Sequence, residues 1–331
     1  MNKKEKENLL KQKEYQFIQE NKELQKHIIL LGLSGSHAYG TNTPTSDIDI
    51  RAICKNTRKE ILSLHSEDTE TQDDTDTVIY KLNKACNLLA NCNPNMVELL
   101  GLREEDYLIL TGIGKQLIDN QSMFYSKKAK YSFGGYATAQ LRRLENALAH
   151  DAYPQEEKLK HIKGSIENTI HSFNERYKNN FNITIKIKDN ELVTDMQLTD
   201  YPLQDAAGMF SEMKTIIRNY EKLNHRNRKK DDQHLNKHAM HLVRLLLTGT
   251  ELLKTGKMVT YREKEHNLLM DIRNGKYQKD DHTYYNEFFE LVTQLEKDFE
   301  YAADNTVLPE TPNILEIQEF IMGVNYQTIR G

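Results

Sequence analysis

A small turn and two carboxylates near the start of the chain have the residue types needed to hold a triphosphate and its metal ions. Gly35 and Ser36 follow an apolar run, and Asp47 and Asp49 come after ten intervening residues. A glycine-serine turn lets backbone N–H groups approach phosphate oxygens closely. Carboxylates at i and i+2 of a strand project from one face, and Mg²⁺ prefers oxygen ligands. We therefore expect a site for Mg²⁺ or Mn²⁺ and a nucleoside triphosphate (NTP).

Nucleotidyl transfer needs little covalent help from a protein, but it needs charge neutralisation and alignment. Two metal ions about 3.5–4 Å apart supply both, and a third carboxylate often completes such a site. Asp76, directly before the apolar run 77–80, is our first choice, and Asp74, on the same face, is the second. A solvated acidic loop is an equally good interpretation of either residue. Glu98 is a further candidate, for which we favour a structural role near the first turn of a helix.

Short apolar runs that predict strands flank the turn and the carboxylates. Residues 27–33 have the length and the β-branched content of a buried strand, and residues 48–53 alternate as a second strand with both aspartates on one face. Residues 77–82 predict a third strand, which leads into a helix at about 83–90. Ahead of them, residues 3–26 combine charged and apolar side chains in the pattern of an amphipathic helix.

Beyond about residue 115, helical periodicity dominates the chain. The predicted helices are 136–150, 156–179, 203–223, 235–255 and 284–303. In residues 181–197, apolar and polar residues alternate on both sides of an Asp-Asn pair, which predicts a β-hairpin. Residues 224–233 are polar and predict a linker or mobile loop. The fold class is therefore α+β, with a small mixed sheet and flanking helices in residues 1–115 and a mainly helical domain with an inserted hairpin in residues 116–331.

A basic stripe is predicted on the helix 235–255. Lys237, His241 and Arg244 stand at i, i+4 and i+7 and share one face, while apolar residues occupy the other. Facing a cleft, such a stripe could hold phosphates of the nucleotide or of an acceptor; an exposed charged face is the competing interpretation. His37 and Tyr39, in the glycine-serine turn, could touch either substrate or support the turn.

The composition excludes several classes of protein. Of 331 residues, 28% are charged and 38% hydrophobic, and the net charge of −4 gives no global basic field for nucleic acid or membrane. Any contact with nucleic acid must therefore come from local patches. The three cysteines form no CxxC pair, which favours a reducing compartment. Because no signal peptide and no apolar run of about 18 residues is visible, we expect a cytoplasmic protein without membrane contact.

The motif resembles the signature of the DNA polymerase beta-like nucleotidyltransferase superfamily, which is Gly-Ser, a spacer, then Asp-x-Asp followed by a hydrophobic residue. Within it, the chain is similar to a bacterial and phage branch with Gly-Ser-x-Ala-Tyr-Gly in the turn. Two further motifs of that branch, Asn-Pro-Asn-x-x-Glu and Lys-x-x-x-His-x-x-Arg-Leu-Leu, are matched by residues 93–98 and 237–246. Residues from about 150 to 235 agree least, and their role is left open.

The resemblance implies a transferase that moves NMP from ATP or another NTP to an acceptor by a two-metal mechanism. It implies that Asp47, Asp49 and Asp76 are the catalytic residues and the metal ligands. The residues expected to bind the nucleotide are Gly35, Ser36, Tyr39, Lys237, His241 and Arg244. Members of this branch are often proposed to act in RNA repair, so the acceptor alternatives are an RNA end, a protein hydroxyl and a small molecule. The competing hypothesis is a nucleotide-binding regulatory or antitoxin-like protein that acts through a protein partner.

Overall fold

The architecture is taken from a computed structural model, which describes residues 8–63, 69–72, 75–149, 159, 162–167, 170, 181–188, 191–226 and 232–330. The chain divides into two compact units, residues 1–141 together with 236–331, and residues 142–235. The C-terminal residues are therefore grouped with the N-terminal part of the chain. The division into domains after residue 115 stays a prediction.

Short helices replace the single helix that was expected for residues 3–26, of which residues 3–7 lie outside the described residues. Lys13–Tyr15 is a 3₁₀ turn, followed by α1 (Gln16–Glu20) and α2 (Lys22–His27). The break falls at Asn21, which leaves the helical conformation at φ −80° and ψ 88° and whose side chain accepts a hydrogen bond from the Leu24 N–H. An asparagine that caps the next helix in this way stops the preceding one.

Five strands form one mixed sheet in the first unit, which confirms the predicted α+β fold class. The strands are β1 (Ile28–Ser34), β2 (Asp49–Cys54), β3 (Thr69–Gln72), β4 (Thr77–Lys81) and β5 (Tyr107–Leu110), and their order across the sheet is β3-β4-β2-β1-β5. The two edge strands were not predicted. Each has only four residues. β3 is entirely polar, and the apolar run of β5, Tyr-Leu-Ile-Leu, is too short for its pattern to distinguish a strand from a buried helix.

The pairing of the three inner strands sets the position of the functional residues. β1 runs antiparallel to β2, with Ser34 opposite Asp49. β2 runs parallel to β4, with Ile50 opposite Thr77. The C-terminal end of β1 and the N-terminal ends of β2 and β4 therefore meet at the same edge of the sheet.

The remaining described helices are α3 (Gly35–Tyr39), α4 (Arg58–Leu62), α5 (Leu82–Ala90), α6 (Pro94–Leu100), α7 (Gly112–Asp119), α8 (Lys128–Ala149), α9 (Leu203–Arg226), α10 (Asp232–Thr255), α11 (His266–Arg273), α12 (Asn286–Asp304) and α13 (Ile314–Arg330). The predictions for α5, α9, α10 and α12 are confirmed, with ends displaced by no more than three residues. The segment predicted as a linker, 224–233, is helical at both ends, and residues 227–231 lie outside the described part. Most of the helix predicted at 156–179 lies there too, although residues 162–167 are helical.

The core of the first unit lies between the sheet and the N-terminal helices. Leu9, Ile18 and Leu24 are buried against apolar residues of β1, β2 and β4. Burying one such side chain contributes about 1.5–3 kcal/mol. Six of the seven residues of β1 are buried, which explains why that strand reads as a continuous apolar run rather than as an alternating one. This packing fixes the strand whose end leads into the glycine-serine turn.

The second unit has a small core of its own, and the predicted hairpin is confirmed within it. β6 (Phe181–Lys188) pairs antiparallel with β7 (Glu191–Leu198). Ile185 is buried with Met209 and Met213 of α9 and with apolar residues of the segment 162–170. Alternate residues of β6 are exposed, as the sequence pattern requires for a sheet with one apolar face.

A buried ion pair joins helices that are far apart in sequence. Arg244 of α10 donates a hydrogen bond to Glu98 of α6, and both side chains are about 95% buried. Tyr39 of α3 donates a hydrogen bond of 2.6 Å to the other oxygen of Glu98, and its ring lies 3.7 Å below the Arg244 guanidinium carbon. The Thr260 hydroxyl also donates to the Glu98 carbonyl at 2.6 Å. No described helix has an apolar stretch long enough to cross a bilayer.

Removing the charge of Glu98 should destabilise the first unit strongly. The Glu98→Gln variant leaves Arg244 buried without a counter-charge, and we expect a loss of about 3–5 kcal/mol in the free energy of unfolding, measured by urea denaturation followed by circular dichroism. The double variant Glu98→Leu with Arg244→Met should recover much of that loss, because it leaves no uncompensated charge. Asp304→Asn is the matched control, since it breaks an exposed pair with Lys130 and should cost less than about 1 kcal/mol. Equal losses in the single variant and the control would contradict the role given to the buried pair.

Candidate active site

Asp49 and Asp76 lie side by side at the edge of the sheet where three strand ends meet. Asp49 is the first residue of β2 and Asp76 precedes β4, so the parallel register makes them neighbours. Their carboxyl groups are hydrogen-bonded to each other. Asp76 adopts a left-handed conformation, with φ of 44°, and the Thr75 and Thr77 hydroxyls on either side of it are hydrogen-bonded at 2.8 Å. A non-glycine residue held at positive φ stores strain of the kind that gathers at functional sites.

The two carboxyl groups perturb each other electrostatically. The pKa of Asp49 is raised to about 6, chiefly by burial and also by the hydrogen bond and the negative charge of Asp76, while Arg51 and Lys237 oppose the shift. Two carboxylates in such proximity cannot both ionise without cost unless a cation or a proton lies between them. Their oxygens are hard ligands that suit Mg²⁺ or Mn²⁺. The pair is therefore chemically suited to hold a divalent cation.

The glycine-serine turn approaches this pair so closely that only glycine fits at its first position. Gly35 has φ of +58°, and a Cβ there would lie 1.7 Å from Oδ2 of Asp49. Ser34, which precedes α3, makes no side-chain cap to the helix; its hydroxyl instead accepts a hydrogen bond of 3.1 Å from Nε of Arg51. The first N–H groups of the turn, at Gly35 and the buried Ser36, thus lie beside the carboxylates and could bind phosphate oxygens.

Asp47 is not gathered into the same cluster. It is exposed on the segment that leads into β2, two residues before Asp49. Among the residues that the structure describes, no three His, Cys, Asp or Glu side chains are grouped as metal ligands. Asp74 lies outside those residues. The structure thus brings together two of the three predicted carboxylates and leaves the third nearby on a loop.

Lys237 of the predicted stripe lies close enough to Asp49 to act on it electrostatically, and His241 lies beside Lys237 and Tyr39. The exposed ammonium of Lys237 acts electrostatically on both Asp49 and His241. Burial lowers the pKa of His241 well below its usual value, and the positive charges of Arg244, Lys237, His238 and Arg273 add to the effect. The imidazole is therefore neutral at physiological pH and can act as donor or acceptor. Its ring meets that of Tyr39 edge to face, with 6.3 Å between centroids.

Arg244 and Tyr39 both contact Glu98 inside the protein, and their predicted nucleotide contacts stay a prediction. Arg244 is 5% exposed and paired with Glu98, so a phosphate could reach it only by breaking that pair. Burial alone would lower the pKa of Arg244, but Glu98 and Tyr39 outweigh it and the pKa is raised. Helical spacing gives the face of the helix on which Arg244 lies. It cannot reveal that Arg244 pairs with Glu98, which is 146 residues away in the chain. The structural role favoured for Glu98 agrees with this arrangement, although its partner is Arg244 and not the start of its own helix.

Arg273, the last residue of α11, also belongs to this region and was missed by the sequence analysis. Its Nη2 donates a hydrogen bond of 3.1 Å to the Ser46 hydroxyl, directly before Asp47. Its positive charge also acts on His241. The available signal was weak, because an arginine at the C-terminal end of an amphipathic helix is ordinary for its interaction with the helix dipole. Only the tertiary fold brings it to the carboxylate segment.

Comparison with known proteins bears directly on this site. Residues 8–164 match the model of a family described as the RNA repair pathway DNA polymerase beta family. That stretch includes the glycine-serine turn, the carboxylates and Glu98, but not α10 or α11. An uncharacterised 38.9 kDa protein from the nrdC-mobD intergenic region of enterobacteria phage T4 is 32% identical over 119 residues, which make up 32% of this chain and 35% of that protein. The chain thus covers about a third of the length of that relative.

The raised pKa of Asp49 predicts a specific pH dependence of stability in the metal-free protein. In the folded state Asp49 keeps its proton to a higher pH than in the unfolded chain, so folding is favoured by protonation between the ordinary value of 3.8 and about 6. Stability should therefore fall as pH rises through this range. The Asp49→Asn variant lacks this titration, so its melting temperature should increase relative to that of the wild type across the range and the difference should level off above it. Asp47→Asn, which removes an exposed charge nearby, is the control. A difference that stays constant with pH would contradict the arrangement.

Proposed function

We propose that this chain, whose residues 8–164 match the model of the RNA repair pathway DNA polymerase beta family, transfers NMP from an NTP to an RNA end. In this reaction a hydroxyl oxygen of the acceptor forms a bond to the α-phosphorus. The bond between that phosphorus and the oxygen bridging to the β-phosphate breaks, pyrophosphate leaves, and the hydroxyl proton is released. The observation that carries the proposal is the Asp49–Asp76 carboxyl pair beside the Gly35 turn.

The carboxylates at the sheet edge would bind the metal ions in the proposed reaction. Asp49 and Asp76, with Asp47 on the adjoining segment, would hold the divalent cations. Held by these residues, Mg²⁺ or Mn²⁺ would supply neutralisation of the charge that develops on the reacting phosphate. The register of β2 and β4 positions the carboxylates before any ligand binds, so little reorganisation is needed at the moment of reaction.

The backbone of the turn and the nearby basic residues would hold the triphosphate. Gly35 lies against Asp49, and Ser34 makes no side-chain cap to the N–H groups that begin α3. Lys237 adds a mobile positive charge close to Asp49, and His241 adds a neutral ring that can donate or accept a hydrogen bond. Holding the phosphates against the metal-binding carboxylates in a fixed geometry supplies most of the catalysis in phosphoryl and nucleotidyl transfer.

RNA is the acceptor that the comparisons favour. The matched family is described by its RNA repair pathway. The net charge of −4 argues against a long duplex footprint, which would need many phosphate contacts. A single-stranded or broken RNA end needs only a few contacts next to the carboxylates. The proposal is therefore limited to addition at an RNA terminus.

Loss of any one of the carboxylates should abolish transfer. We expect Asp47→Asn, Asp49→Asn and Asp76→Asn each to lower metal-dependent NMP incorporation at least about a hundredfold, the scale of losing one electrostatic contribution to the transition state. Asp119→Asn is the charge-matched control, because Asp119 is exposed at the end of α7. Incorporation is measured with α-labelled NTP in Mg²⁺ or Mn²⁺, with EDTA as the blank. Full activity in the Asp47/Asp49 double variant would overturn the catalytic assignment.

The acceptor can be identified by offering RNA and protein acceptors to the chain together. Each α-labelled NTP is incubated with the full chain, Mg²⁺ or Mn²⁺, and total cellular RNA and protein. We expect label on RNA that ribonuclease removes and protease does not. Label on protein would show that the acceptor is a protein hydroxyl and not an RNA end. No label with any NTP, together with measurable NTP binding, would favour a nucleotide-binding regulatory protein over an enzyme.

A further inference from the structure

Arg273 is a half-buried arginine that makes no ion pair with a carboxylate among the residues that the structure describes. Its Nη2 is hydrogen-bonded to a neutral hydroxyl, that of Ser46 at 3.1 Å. Its Nη1 is buried and has no hydrogen-bond acceptor within the part of the chain that the structure describes. Burial lowers the pKa of Arg273, and no opposing charge offsets this effect. A guanidinium offers five donors in a planar fork, so a buried one without an acceptor is costly in the free protein.

Three other arginines of the same unit, unlike Arg273, form ion pairs with carboxylates. Arg244 is paired with Glu98, Arg262 with Glu251 and Glu265, and Arg103 with Asp106. In these three cases a guanidinium that serves the fold has a carboxylate partner, whereas Arg51 is hydrogen-bonded to the Ser34 hydroxyl and acts electrostatically on Asp49. The lack of such a partner at Arg273, among the residues described, indicates that its counter-charge comes from a ligand.

The surroundings of Arg273 are positive as well. Lys237 and Arg273 both act electrostatically on His241, from α10 and from the end of α11. Lys237 makes no ion pair within the described residues, and it also acts on Asp49. Ser46, which accepts the hydrogen bond of Arg273, directly precedes Asp47. Positive groups from two helices therefore converge beside the segment that carries the carboxylates.

We propose that Arg273, Lys237 and His241 form an anion site that binds the β- and γ-phosphates of the nucleotide. This inference rests on the proposed function and adds a residue, Arg273, that lies outside the segment matched by the family model. The fork of Arg273 donates to the oxygens of a terminal phosphate, Lys237 acts as a point charge, and the neutral imidazole of His241 donates or accepts a single hydrogen bond. The α-phosphate is left to the carboxylate pair and its cations.

A polyphosphate fits this cluster better than the backbone of an RNA strand. The phosphates of RNA carry one charge each and are spaced along the chain, and they are usually met by exposed basic residues in a row. A triphosphate tail concentrates several charges at one end of the ligand. A half-buried arginine next to a lysine and a histidine offers the matching concentration of donors in one place.

Binding of inorganic tripolyphosphate to the full chain, measured by isothermal titration calorimetry without divalent metal, tests the site. We expect Arg273→Met to weaken binding at least about tenfold, the scale of one charge-assisted hydrogen bond to a charged group. The affinity of Arg273→Lys should lie between those of the wild type and Arg273→Met, since lysine keeps the charge but lacks the planar fork of donors. Lys276→Met is the matched control, because it removes an exposed charge three residues further on, at an ion pair with Asp271 of 2.6 Å; its affinity should stay within about twofold of the wild type. Wild-type affinity in Arg273→Met would overturn the proposal.

Thermal unfolding separates a binding role from a structural one. Without ligand, Arg273→Met should melt at the same temperature as the wild type or higher, because it removes a half-buried charge that has no carboxylate partner among the described residues. Tripolyphosphate should raise the melting temperature of the wild type and of Lys276→Met, but not that of Arg273→Met. A lowered melting temperature with the tripolyphosphate effect intact would make Arg273 a structural residue and overturn the proposal.

The same variants distinguish this inference from the proposed function. If tripolyphosphate binding depends on Arg273 but no labelled NMP is incorporated, the transfer reaction fails and the anion site stands. If incorporation occurs and Arg273→Met binds tripolyphosphate normally, the anion site fails and the transfer reaction stands. A short single-stranded RNA serves as the second ligand. Loss of RNA binding with tripolyphosphate binding unchanged would assign Arg273 to the acceptor, which also overturns the proposal.

Discussion

The buried pair between Glu98 and Arg244 is the interaction on which the candidate site depends. Two charges taken out of water are stable only when each satisfies the other and the remaining donors and acceptors are matched. Here Tyr39 supplies both a hydrogen bond to Glu98 and an aromatic face to Arg244. Tyr39 closes the short helix that begins at Gly35, so the pair ties the glycine-serine turn to α6 and α10. The turn is held from both of its ends, by β1 before it and by this cluster after it.

The same logic explains why the carboxylates are held close together although they repel one another. Asp49 is fixed by its place in the central strand, and Asp76 by the parallel register and by a strained backbone. Gly35 then fills the only space that remains, since any side chain there would collide with Asp49. Each constraint is unfavourable by itself and is stabilised by the buried sheet behind it. Such a site is poised for a cation, because a cation removes the repulsion without moving any of the three elements.

Sequence patterns predicted the parts of this arrangement that depend on local chemistry. The apolar runs around β1, β2 and β4 are long and buried, so the strands and the choice of Asp76 follow from them. The edge strands β3 and β5 were not predicted because each has only four residues; β3 is polar, and the short apolar run of β5 does not distinguish a strand from a buried helix. Arg244 was assigned to phosphate because helical spacing gives the face of a residue and not its partner. Arg273 was missed for a related reason, since only the packing of α11 brings it to Ser46.

Charge pairing within the first unit separates residues that serve the fold from residues that are left for a ligand. Arg244 and Arg262 each have carboxylate partners, which neutralise their positive charge inside the protein. Asp49 and Asp76 face each other with like charge, while Arg273 has a donor for which the described part of the chain supplies no acceptor. A metal-bound triphosphate carries both missing partners, since its cation matches the carboxylates and its phosphates match the guanidinium. A single ligand of this kind would therefore balance both the carboxylate pair and the guanidinium, whereas either group alone could bind many different ligands.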